Sequence, residues 1–115
     1  MSGEAARKSL LPAWLVGEVL GTFMLVFCFC CSVATAVLTG AQVGIFQVAI
    51  VWGIGIATAI YLTGSLSGAH LNPAVTIGLA AFSGFPCRSV GKYIAAQFVG
   101  AFVASWVLYL LFHGQ

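Results

Sequence analysis

Apolar residues run along the chain in three long stretches, 13–35, 43–61 and 93–112, interrupted by little besides Gly, Ser, Thr, the amides Gln47 and Gln97 and one carboxyl side chain, Glu18. A helix crosses a hydrocarbon core about 30 Å thick with roughly 20 residues of this kind. The pattern therefore predicts three membrane-spanning helices. The first stretch is longer than the apolar core of a cleaved signal peptide and carries Glu18 in its middle, so it reads as a span. Between the second and third stretches an uncharged, small-residue segment at 63–72 leads into a further apolar run, Pro73 to Phe82. As a helix that run is about 15 Å long, half the depth of the core. A loop and half-helix at 63–84 are expected, either lying at the membrane surface or dipping into the membrane and returning to the same side.

Basic residues favour one arrangement. Arg7 and Lys8 precede the first span, and Arg88 and Lys92 precede the third. If the half-helix returns to its own side, two full spans separate these pairs and all four charges share one face, as the preference of Lys and Arg for the cytoplasm requires. A crossing half-helix would split them. The N-terminal tail, 1–12, is then cytoplasmic. Surface placement of the half-helix has the same parity, but the loop's lack of charge and its apolar continuation favour burial at membrane depth. Small residues four apart mark expected helix contacts: Gly17 and Gly21, Gly53 and Ala57, and Ala96, Gly100 and Ala104.

Composition agrees with a bilayer protein, since only 5% of residues are charged where a soluble domain carries about a quarter. A net charge of +2 without a basic cluster makes no footprint for nucleic acid. Cys28, Cys30 and Cys31 crowd one apolar stretch and read as small hydrophobes; with Cys87 they make neither a disulfide framework nor a metal site. No metal, cofactor or catalytic constellation is indicated, and the chain is not expected to be an enzyme.

The chemistry gathers where the polar loop becomes a helix. Pro73 fits the first helical position, where its missing N–H costs nothing. Asn72 fits the N-cap, its side-chain oxygen accepting from the first turn and its amide N–H group left free to donate. Ala74 follows in that first turn. A donor at the positive end of a helix attracts the oxygen of water or an alcohol and disfavours cations and protons. Gly68, Ala69, His70 and Leu71 supply irregular backbone, tolerated at membrane depth where it is buried in protein or lines a watery cavity. Their carbonyls form an expected ladder of acceptors. Glu18 is costly inside a membrane and should face the bundle interior with partners. Thr22 lies one turn away on the same face. Gln97 reads as an interhelical hydrogen-bonding residue, and Trp14 and Trp106 as interfacial belt residues.

Ser67-Gly68-Ala69-His70-Leu71-Asn72-Pro73-Ala74-Val75-Thr76 resembles the first pore loop of the major intrinsic protein family, the aquaporins and glycerol facilitators. The likeness extends through Glu18 to Phe23 and Gln97 to Ala101. It implies an all-α membrane protein, three spans plus a re-entrant loop and half-helix, one repeat of an inverted-repeat channel occupying 13–115. It also implies that Glu18 braces the loop by hydrogen bonds, and that Trp52 belongs to the outer constriction. A tryptophan there is similar to the glycerol-facilitator branch, where an aromatic wall receives the carbon backbone of a polyol. Interfacial placement is the other reading of Trp52. Implied solutes are glycerol, water or similar small neutral molecules, in a multi-pass protein of the plasma or bacterial inner membrane.

Family members are about twice as long and carry a second such loop. The resemblance therefore implies half a channel, needing a second half or a full-length homologue to close the pore, with a homo-tetramer as the family's assembly. Two other expectations remain open: a small proton-coupled multidrug exporter using Glu18, and an inactive fragment.

Overall fold

A computed structural model describes residues 11–40 and 44–114. Most of the N-terminal tail, with Glu4, Arg7 and Lys8, and the expected start of the second span at Val43 lie outside the described residues. Helix α1 spans Ala13–Leu38, α2 Ile45–Ser67, α3 Pro73–Phe82 and α4 Val90–Phe112, the last entered through a single 3-10 turn, Cys87–Ser89. The described residues contain no strand. Helices α1, α2 and α4, the last with its 3-10 turn, have the length and apolar composition to cross a membrane, and α3 is a shorter apolar helix. At 1.5 Å per residue α1 is about 39 Å long and α3 about 15 Å.

The second helix extends six residues past the expected end at 61, through polar residues assigned to the loop. Thr63 does not break it, because its hydroxyl turns back onto the preceding turn: Thr63 Oγ1 donates to the Ala59 carbonyl at 2.8 Å. What ends the helix is Gly68, at φ 87°, whose N–H closes on the Gly64 carbonyl. The loop proper is thereby shortened to residues 68–72.

Helix α1 is central, with α2 on one side and α4 on the other, while α3 packs against α4. Glycine sets the approach. A Cβ on Gly17 would meet Ser67 Oγ at 2.6 Å, one on Gly21 would strike the Leu71 side chain, and one on Gly100 would strike the Val19 carbonyl oxygen. On α2 the contact pair is Gly55 and Ala59, both buried, with Gly55 against Cys28. This corrects the expected pair Gly53 and Ala57, which are exposed and one face away. Spacing by four identifies small residues but not which of two such rows faces the neighbour. The outward faces of α2 and α4 expose Ile54, Tyr61, Phe98 and Phe102, as a bilayer permits.

These contacts predict unequal effects of the same substitution. Gly100→Ala drives a methyl group into backbone that cannot yield and should cost about 1–3 kcal/mol. Gly53→Ala meets open space and should change stability by less than about 0.5 kcal/mol. Denaturation in mixed detergent micelles followed by circular dichroism measures both, and equal losses would remove the close approach of α1 and α4 as the cause.

Candidate pore-loop site

Glu18 is completely buried on the inner face of α1. A carboxyl group there is tolerated only if its oxygens are hydrogen-bonded, and four donors converge on it. Oε2 accepts from Ser67 Oγ at 2.6 Å and the His70 N–H at 3.1 Å. Oε1 accepts from the Leu71 N–H at 2.9 Å and Gln97 Nε2 at 2.7 Å. The Ser67 hydroxyl has one proton, and the short contact to Glu18 takes it in preference to the 3.5 Å contact with the Thr63 carbonyl. Its oxygen then accepts the Ala69 N–H at 3.2 Å.

Three successive N–H groups, at 69, 70 and 71, are thus turned inward. The chain achieves this through left-handed backbone at Gly68 (φ 87°), Ala69 (φ 53°) and Leu71 (φ 56°). For Ala and Leu that conformation costs about 1–2 kcal/mol each, which hydrogen bonds to a carboxylate, worth about 1.5–3 kcal/mol each, offset. The carbonyls are the other half of the arrangement. Among the described residues no hydrogen bond ends on the carbonyl oxygens of Gly68, Ala69, His70 or Leu71. The carbonyls of residues 68–70, opposed in their planar peptides to the inward N–H groups, are left facing away from Glu18.

At the start of α3, Asn72 is extended (φ −161°, ψ 129°) and its Oδ1 accepts the Ala74 N–H at 2.7 Å, with Pro73 at the first helical position. Its Nδ2 makes no hydrogen bond to the described residues, and Asn72 is exposed. Asn72 and Leu71 border a cavity of about 180 Å³ also lined by Thr22, Pro73 and Gln97. Behind the cap, buried Thr76 ties the half-helix to α4: its Oγ1 accepts from Gln97 Nε2 at 2.9 Å and lies 2.9 Å from His70 Nδ1. Tyr93 completes the brace. Its hydroxyl donates to the Ser67 carbonyl at 2.7 Å, and its ring packs between Trp14 and His70, at centroid distances of 5.5 and 4.7 Å. Lys92 Nζ stands over the Trp14 ring, 4.6 Å from its centroid.

Among the residues singled out from sequence, the fold gathers Glu18, Gln97, His70, Leu71, Asn72, Pro73 and Ala74 at one site. Trp52 lies apart, about four turns up α2 from the loop, half-buried against Phe29 at 4.4 Å. Thr22 sits on the site's edge without a hydrogen bond. Ser67, Thr76 and Tyr93 were not assigned roles from sequence. Ser67 and Thr76 open and close the ten-residue stretch that carries the resemblance, and Tyr93 lies one turn before Gln97.

Three spans around a strained loop that returns the chain through a half-helix define a class, an integral membrane protein carrying one repeat of a channel fold. The match to known proteins makes this specific. Residues 5–115 match the Major intrinsic protein family, and the chain belongs to it, on the glycerol-facilitator branch. It is 46% identical over 102 residues to the glycerol uptake facilitator protein of Haemophilus influenzae, covering 89% of this chain and 39% of that one. To the glycerol uptake facilitator protein of Pseudomonas aeruginosa it is 45% identical over 112 residues, covering 97% and 40%. The X-ray structure of the aquaglyceroporin from Plasmodium falciparum superposes with a TM-score of 0.82 at 37% identity, covering 89% and 42%. The chain spans about two fifths of the length of these relatives, which are facilitators and channels rather than enzymes.

Replacing Glu18 by Gln sets an amide N–H group against donors and should cost about 3 kcal/mol, raising hydrogen exchange at the His70 and Leu71 amides about a hundredfold. Tyr93→Phe keeps the ring packing and loses one bond, about 1 kcal/mol. Exchange read by NMR in micelles tests both; unchanged protection in Glu18→Gln would show that the loop holds its shape without the carboxyl group.

Proposed function

We propose that this chain forms one wall of a passive channel for small neutral solutes, glycerol together with water, and excludes ions and protons. The observation that carries the reading is the pairing of a free donor with free acceptors: the Asn72 amide at the positive end of α3, beside the unpaired carbonyls of residues 68–71. A molecule bearing hydroxyl groups can donate to the carbonyls and accept from Asn72, so its hydrogen bonds to water are replaced as it moves. A cation gains from the carbonyls but meets the positive helix end. The relatives' names, which specify glycerol uptake, support the solute class.

Trp52 belongs, in this reading, to the outer constriction, where its ring receives the carbon side of a polyol. The remaining wall comes from a second half or a full-length homologue, and the family's tetramer is the assembly proposed. The 13–115 membrane domain has its N-terminal tail in the cytoplasm, the side that Arg88 and Lys92 favour. A proton-coupled exporter fits less well, because every acceptor position of Glu18 is filled and a proton there would displace a donor.

Stopped-flow light scattering of vesicles containing the chain together with a complementary half tests the proposal. Glycerol and water permeability above that of lipid is expected, and permeability equal to lipid overturns it. Asn72→Asp replaces the donor by an acceptor and should raise cation leak about tenfold or more, since loss of a charge-selective contact of roughly 1.4 kcal/mol is worth a factor of ten. An ion leak equal to that of the unsubstituted channel would count against Asn72 as the excluding group.

A further inference from the structure

Three buried side-chain polar atoms lack a hydrogen bond among the described residues: Thr22 Oγ1, Trp52 Nε1 and Gln97 Oε1. Trp52 is remote, against Phe29. The other two are neighbours. Both residues line the cavity beside Asn72, and a Cβ on Gly100, one turn beyond Gln97 on α4, would lie 3.2 Å from Thr22 Cβ.

The Gln97 amide cannot be turned to solve the problem. Nε2 gives its hydrogens to Glu18 Oε1 and Thr76 Oγ1, and exchanging N for O would set an acceptor against the Glu18 carboxyl oxygen. Oε1 is therefore an acceptor without a donor, on a residue 1% exposed; Thr22 Oγ1 is a hydroxyl without an acceptor, on a residue 5% exposed. Both atoms are closed to bulk solvent, and each is of the kind that the other lacks. Each such loss costs about 1–3 kcal/mol, and the two atoms are complementary.

We infer that the Thr22 hydroxyl, after rotation about χ1, donates to Gln97 Oε1 across the α1–α4 contact, making Thr22 a positioning residue for the pore loop. Threonine in a helix divides between two χ1 rotamers, so the rotation costs little. The bond fixes the carboxamide plane from the side opposite Glu18 and Thr76. It thereby aims the two Nε2 hydrogens that hold the carboxyl group and the half-helix. The inference rests on the reading of this cluster as the brace of the Asn72 loop.

The test uses the chain in bilayers with glutamine labelled at the side-chain carbonyl carbon, observed by solid-state NMR. The Thr22 hydroxyl proton should show a through-space contact to Gln97 Cδ. Thr22→Val, which keeps the shape, should move the Gln97 Cδ resonance to its unbonded position and raise amide exchange at His70 and Leu71 about fivefold, the worth of one neutral hydrogen bond. Thr22→Ser should restore both. Absence of the proton contact in the unsubstituted chain overturns the inference even if Thr22→Val fails to fold, as does Thr22→Ser behaving like Thr22→Val. Exchange that rises in Glu18→Gln but not in Thr22→Val overturns this inference and leaves the brace standing; exchange unchanged in both removes the brace itself.

Discussion

A carboxyl group buried at membrane depth must have every acceptor position filled, and the rest of this structure follows from how Glu18 meets that demand. No single helix can supply four donors to one side chain. The donors come from the end of α2, the irregular loop and α4, so three separate segments are drawn onto one face of α1. The close approaches at Gly17, Gly21 and Gly100 exist at that face and allow it. Lipid offers no hydrophobic drive between helices, so packing and polar contacts of this kind are what hold such a bundle together.

The polarity of the loop is a consequence of the same demand. Once the N–H groups of residues 69–71 are spent on Ser67 and Glu18, the planar trans peptides present the carbonyls of residues 68–70 to the other side. Left-handed backbone at Ala69 and Leu71 is the local cost, and strain of this sort persists where surrounding contacts over-determine it. The loop ends at Asn72, whose cap bond to Ala74 orients its amide. Acceptors and donor thus follow one another along a short path.

Tyr93 and Thr76 give the site its depth. Neither hydrogen-bonds to Glu18, yet Tyr93 holds the carbonyl of the residue that donates to it, and Thr76 receives the second hydrogen of the amide that donates to it. The loop is therefore braced at its entry, its middle and its exit. The aromatic series Trp14, Tyr93, His70 and Phe85 joins this brace to the end of the bundle where Arg88 and Lys92 lie.

Much of this was legible in the residues before any coordinates. Three apolar stretches of spanning length, a run half that length and the Asn-Pro pair that opens it are local features, because helix formation and capping depend on neighbours within a few positions. The all-α class and the family likeness followed from them. What lay beyond the sequence were choices made by residues far apart in it. Two rows of small residues on α2 are equivalent by spacing, and only packing against Cys28 selects Gly55 and Ala59. Thr63 to Ser67 read as loop because most of them are polar or glycine, and became helix because the Thr63 hydroxyl bonds back to Ala59 and the Ser67 hydroxyl finds Glu18, until Gly68 turns away. Ser67, Thr76 and Tyr93 gained roles only when the fold set them around Glu18 and Gln97. Local periodicity specifies each helix, whereas hydrogen bonds spanning 49 to 79 residues of chain specify the site; a one-dimensional pattern contains no measure of those distances.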